Sequence, residues 1–88
     1  MYLHLGASVI IHQDDVLGIF DLDNTTASRI TRNFLALAEK EGRVVTVGED
    51  LPKSFLLCRS GEGRETVYLS QISSATLLRR LESGGFEL

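Results

Sequence analysis

The sequence has a single cysteine and no long apolar run. Cys58 has no second cysteine to pair with, so an internal disulfide is excluded. It stands in an apolar strand-like segment, which favours a buried core residue over a reactive thiol. No apolar segment approaches the ~18–20 residues of a membrane span. The N-terminus lacks the basic and apolar regions of a secretory signal. We therefore expect a cytoplasmic protein that does not enter a membrane.

Basic side chains are outnumbered by acidic ones. The 88-residue chain has 9 Lys and Arg against 12 Asp and Glu, which gives a net charge of −3. A field of that sign does not attract phosphate backbones, so nucleic-acid binding would need a local basic patch, concentrated by oligomerisation. Apolar residues make up 43% of the chain, as in ordinary folded proteins. The length predicts a single domain, residues 1–88.

Two segments have the pattern of helices. A long helix is predicted over residues 28–41, followed by Gly42 as its C-terminal cap. A short C-terminal helix is predicted to begin at Ser73 or Ser74, whose hydroxyls can cap it. The segment 23–26 is rich in capping side chains and predicts the entry to the long helix. The apolar residues of that helix recur at helical spacing: Ile30, Phe34, Leu37 and Ala38.

The remaining apolar segments read as about five strands. The first covers residues 2–11, bent at Gly6, and the second covers residues 16–20 after a short polar turn. We expect these two to form a hairpin. Further strands are predicted at residues 43–47, 53–59 and 65–70, the last two joined by a Gly-rich hairpin loop. Together these elements predict an α+β fold with a small, mainly antiparallel sheet, one long helix and a short C-terminal helix.

Several predicted strands carry apolar side chains on both faces. An antiparallel sheet with one wet face alternates apolar and polar residues instead. Two helices cover only one face of a sheet this size, so the surplus predicts either a second sheet layer or a neighbouring subunit. We favour a homo-oligomer. The segments concerned are residues 10–11, 16–17, 19–20, 44–45, 55–57 and 67–69.

The segment GIFDLDNTT has the Asp-x-Asp-x-Thr spacing of haloacid-dehalogenase-type phosphatases, in Asp21, Asp23 and Thr25. There the first aspartate is the nucleophile, the second is the general acid and base, and carboxylate-bound magnesium offsets the phosphate charge. Downstream the chain offers one acidic pair, residues 49–50, in a turn, and Lys53 in a strand context. Too little chain follows for a doubly wound sheet. We interpret the aspartates as helix-capping residues, assign no catalytic residue and expect no enzyme.

No other constellation predicts a site. His4 and His12 lie on or beside the first strand without spaced Cys or Glu partners, so no metal site and no cofactor is assigned. Arg79 and Arg80 stand near the end of the last helix, where cations favour the helix dipole. We prefer that role for them over nucleic-acid contact.

The order of four short segments resembles a bacterial family. The segments are MYLHLG at residues 1–6, VLGIFD at 16–21, PKS at 52–54 and YLSQISSATL at 68–77. Together they resemble the extracellular matrix regulatory proteins of RemA/RemB type, a domain of unknown function, and most of all the RemB branch. The resemblance implies a regulator of biofilm-matrix genes. It also implies DNA binding and assembly into rings, as in the RemA branch, whose arginines face the phosphate backbone.

The resemblance gives two candidate DNA contacts, because Lys53 keeps a basic residue of the DNA-binding branch and Arg32 matches a basic helix position. If DNA is bound, the residues that we name as its contacts are Arg29, Arg32, Arg43 and Lys53. The DNA-binding branch has arginines in two turns where this chain has acidic residues instead. Acidic turns repel phosphate, so the alternative is an oligomeric scaffold or protein-binding module that does not contact DNA. Such a module would bind a basic protein or a basic paralogue through its acidic residues: Asp14, Asp15, Glu49 and Asp50.

Overall fold

The computed structural model describes residues 1–22 and 28–83. Within these ranges the chain forms strands, helices and one short 3₁₀ turn, Gln13–Asp15. The α+β class, with its long helix and short C-terminal helix, is confirmed. In chain order the elements are β1 (Tyr2–Gly6), β2 (Val9–His12), β3 (Val16–Asp21), α1 (Arg29–Lys40), β4 (Val44–Thr46), β5 (Ser54–Arg59), β6 (Glu65–Ser70) and α2 (Ser74–Glu82).

The strands form two sheets. β1 and β2 make a two-stranded antiparallel sheet, and the other four strands make a sheet of order β3-β5-β6-β4. In the larger sheet β5 is antiparallel to both of its neighbours, whereas β4 runs parallel to β6. The parallel pair follows from the connection, because α1 returns the chain to the end of the sheet where β3 begins. β4 therefore runs in the same direction as β3, and so does β6. The sheet is therefore mainly antiparallel, as predicted.

The predicted hairpin between the first segment and β3 is wrong. The chain reverses after β1, so the first segment forms two strands that pair with each other, and β3 pairs with β5 instead. The reversal is made by Gly6, Ala7 and Ser8, whose φ angles of 100°, 45° and 68° are all positive. A left-handed turn of this kind matches the twist of a tight hairpin. The described strands therefore number six rather than about five.

The larger sheet is the middle layer of the fold. The β1–β2 hairpin and α2 pack on one face, around Leu3, Leu56 and Leu77, which are fully buried. Helix α1 packs on the other face, where Ala38 meets Phe55 and Val67. The hairpin thus supplies a second sheet layer, one of the two predicted covers for the two-faced strands. We call the two sides of the sheet the hairpin face and the α1 face.

Both helices agree with the sequence prediction. α1 lies within the predicted residues 28–41, and Gly42 follows it with a φ of 73°. The cap of α2 is Ser73, whose hydroxyl accepts a hydrogen bond from the Thr76 amide at 3.2 Å. The cap residue of α1, Ser28, makes no such side-chain bond. The predicted helix entry at residues 23–26 lies outside the described residues.

Candidate functional site

The larger sheet has two ends, and the predicted site residues divide between them. At one end Asp21 of β3 pairs with Ser54 of β5. We call this the Lys53 end, because Lys53 immediately precedes β5. At the opposite end Arg59 of β5 pairs with Glu65 of β6, and we call this the Glu65 end.

Three of the four predicted DNA-contacting cations lie at the Lys53 end. Lys53 is held by its backbone, which donates to the Ser70 carbonyl at 2.8 Å, and its side chain is exposed. The first turn of α1 reaches the same end, because Ile30 lines a groove together with Phe20 at the end of β3. Arg29 and Arg32, both exposed, belong to that turn. These three cations therefore stand at one end of the fold.

Arg43 is separated from them. It lies at the Glu65 end, where its backbone carbonyl accepts a hydrogen bond from Val67. Its guanidinium contacts the Glu41 carboxylate at 2.7 Å and lies 3.6 Å from Glu65, which also pairs with Arg59 at 3.3 Å. Two carboxylates thus neutralise most of the Arg43 charge. Of the four predicted cations, Arg43 is the least suited to contact a phosphate.

The four acidic residues of the predicted partner surface also divide. Asp14 and Asp15 form the 3₁₀ turn before β3, at the Glu65 end. Glu49 and Asp50 follow β4 at the Lys53 end, where the Asp50 carbonyl accepts a hydrogen bond from Gln71 at 3.3 Å. Glu49 and Asp50 therefore share an end with Lys53, Arg29 and Arg32. In the described part of the chain none of the four carboxylates makes a salt bridge.

The aspartates of the phosphatase-like segment are not gathered with a second acidic pair. Asp21 ends β3, an edge strand antiparallel to its neighbour. Residues 49–50 follow β4 at the far edge, three strand spacings away, or about 14 Å. Asp23 and Thr25 lie outside the described residues. Among residues 1–22 and 28–83, no group of three His, Cys, Asp or Glu side chains is placed to hold a metal ion.

Cys58 lies in the core, as predicted. Burial raises the pKa of its thiol to about 11, and the nearby Asp15 carboxylate adds to this rise by disfavouring a second negative charge. Burial likewise raises the pKa of Tyr68, with added contributions from Cys58 and Asp15. A thiol that stays protonated at neutral pH is a poor nucleophile. Cys58 therefore contributes to packing.

The sequence prediction missed an apolar groove between β3 and α2. The groove has a volume of about 360 Å³. Leu17 on the strand is 56% exposed and Leu78 on the helix is 51% exposed. The apolar character of both residues is visible in the sequence, but which elements face each other is not. The lining residues are Val16, Leu17, Gly18, Ile19, Ser74, Ala75, Leu78 and Leu81.

Comparison with known proteins identifies the family. A family model described as "RemA-like: Extracellular matrix regulatory protein A-like" matches residues 2–81. The chain belongs to the RemA-like family. It is also 32% identical, over 82 residues, to Extracellular matrix regulatory protein B of Bacillus subtilis (strain 168), a match that covers 93% of this chain and 91% of the relative. The family resemblance drawn from the four short segments is thus confirmed.

The family's matched region includes nearly all of both helices and all six described strands. Neither helix in the described ranges is long and apolar enough to cross a bilayer.

Proposed function

We propose that this protein is a non-catalytic regulator of extracellular-matrix gene expression that acts in the cytoplasm as a homo-oligomer and binds DNA. The observation that carries the proposal is the match to extracellular matrix regulatory proteins along nearly the whole chain. The regulatory role comes from that relationship. The DNA contact is argued from the position of the cations.

The DNA contact is assigned to Arg29, Arg32 and Lys53 at the Lys53 end. One chain presents three cations at an end that also holds Asp21, Glu49 and Asp50, so a single chain attracts a phosphate backbone only weakly. An oligomer repeats this patch, and linked weak contacts add to give strong binding without any new contact. DNA binding in this proposal therefore depends on assembly.

The test is a titration of the assembled protein with duplex DNA, followed by fluorescence anisotropy at about 50 and about 200 mM salt. We expect binding that weakens steeply with salt. Lys53→Glu should weaken binding to all DNA sequences alike, and it should lower the salt slope by about one for each phosphate that is no longer neutralised.

Lys40→Glu is the matched control. It changes the net charge by the same amount at an exposed residue of the last turn of α1, away from the Lys53 end. Equal weakening by the two variants would mean that total charge matters rather than the Lys53 end. An absence of binding at low salt, from an intact oligomer, would refute the DNA contact.

A second candidate is an acidic scaffold that binds a basic protein or a basic paralogue. The observation in its favour is that Asp14, exposed in the turn before β3, has no cation partner among the described residues. In the same titration this candidate predicts no DNA binding at either salt concentration. The two candidates therefore give opposite results in one experiment.

A further inference from the structure

Among the described residues, two strands of the larger sheet have a free edge. In the described residues β3 has only β5 as a neighbour, and β4 has only β6. Unpaired edges of a sheet offer rows of backbone donors and acceptors to another strand. Neither β3 nor β4 contains a lysine or a proline, the residues that commonly block edge pairing.

The two edges expose apolar side chains on the same face. The strand register aligns Ile19, Leu56, Tyr68 and Val45 in one row across the four strands. Residues paired in this way point to the same side of a sheet. Leu56 packs against the hairpin, so the row lies on the hairpin face. Its first member, Ile19, lines the groove beside α2, and its last member, Val45, is 40% exposed.

We propose that β4 of a second copy of this chain pairs with β3 and that its Val45 enters the groove between β3 and α2. The added strand would extend the row past Ile19 and would place Val45 against Leu17 and Leu78, which are about half exposed in the single chain. The inference rests on the homo-oligomer of the proposed function and names the surfaces that build it.

Strand direction makes this contact parallel. β3 and β4 run in the same direction, because each is separated from the other by two antiparallel steps and one parallel step. When one copy continues the sheet of the next, β4 of the first copy therefore runs parallel to β3 of the second. The hairpin faces of the two copies then lie on the same side of the joined sheet. The two surfaces differ, so the contact is head-to-tail and closes into a ring or continues as a filament.

Charges at the Glu65 end complement this arrangement. The parallel contact brings the start of β4 beside the start of β3. Asp14 and Asp15 precede β3, whereas Arg64 lines the surface at the start of β4, beside Arg43, whose charge Glu41 and Glu65 already neutralise. Arg64 is exposed and makes no salt bridge among the described residues. A contact between the β3 edges of two copies would instead leave Arg64 at the opposite edge of each copy, so Arg64 would not approach Asp14 and Asp15.

The test combines crosslinking with light scattering on the full chain. Leu17→Cys and Val45→Cys are prepared separately, mixed, and treated with a short bismaleimide at neutral pH, where the buried Cys58 reacts slowly. We expect a crosslinked dimer in the mixture and none in either variant alone. In light scattering, Val45→Lys should shift the mass from the oligomer to the 9.7 kDa monomer.

Ile10 provides the matched control, because it is 52% exposed on β2 and lies outside both edges. Ile10→Lys should leave the oligomer intact, and Ile10→Cys should give no product with either edge variant. Crosslinking of Leu17→Cys with itself would replace the proposed contact by a symmetric β3–β3 contact. An intact oligomer of Val45→Lys would refute the contact alone, whereas a monomeric wild-type protein would refute the oligomer as well.

Discussion

At the residue scale, Asp15 affects the ionisation of two groups, the buried Cys58 thiol and the Tyr68 hydroxyl, by raising the pKa of each. The thiol pKa is raised from 9.0 to about 11, first by burial and then by Asp15. The folded state therefore holds the thiol proton more tightly than the unfolded state does. This contribution to stability is complete below about pH 9 and is lost as the pH rises through about 11.

The prediction concerns the free energy of unfolding between pH 9 and pH 11. Cys58→Val replaces the thiol by a side chain that cannot ionise. Between about pH 9 and about pH 11 the free energy of unfolding of the wild type should therefore fall by about 2 kcal/mol more than that of the variant. Urea unfolding at fixed protein concentration and at several pH values measures the difference. Parallel decreases in the two proteins would show that the Cys58 thiol does not titrate differently on folding.

At the element scale, the two helices differ in how they begin. Ser73 caps α2 through its side chain, whereas Ser28 before α1 makes no side-chain cap bond. Ser73→Ala should therefore lower the free energy of unfolding by about 1 kcal/mol, and Ser28→Ala should change it little. Urea unfolding of both variants checks the pair. A larger decrease from Ser28→Ala than from Ser73→Ala would contradict the capping geometry.

The helices were predictable because their signals are local. The apolar spacing of α1 lies within the helix itself. Gly42 and Ser73 lie within a few residues of the helix ends that they mark. The hairpin turn was not predictable, since Ala7 and Ser8 adopt positive φ angles that sequences usually mark with glycine or asparagine. The pairing of β3 with β5 depends on contacts between residues far apart in the chain, which no local pattern reveals.

The candidate site was predictable in its residue types and less so in their grouping. The family resemblance pointed to Lys53 and Arg32, and the fold brings them to one end of the sheet. Arg43 was predicted alongside them, but Glu65 on the adjacent strand β6 neutralises Arg43 together with the neighbouring Glu41. Glu41 is visible two residues away in the sequence. The proximity of Glu65 to Arg43 depends on the pairing of β4 with β6, which the sequence does not reveal.

At the scale of the whole molecule, assembly and stability should be coupled. If β4 and β3 of successive copies cover each other, the folded oligomer is favoured by mass action. The melting temperature should then rise by roughly 3–8 °C for each tenfold increase in protein concentration. Thermal melts at several concentrations, with Val45→Lys alongside, measure this. A melting temperature independent of concentration would mean that the exposed apolar residues are not covered by self-association.

The order of strands also has a consequence for how the chain folds. β1 with β2, and β5 with β6, are hairpins closed by short turns, whereas β3 and β4 reach their partners only after long loops close. Closing a long loop costs more entropy and comes later, so the two edge strands are expected to be the last to join. A newly synthesised chain would then expose the β3 and β4 edges that can pair with another copy only after the rest of its core has formed.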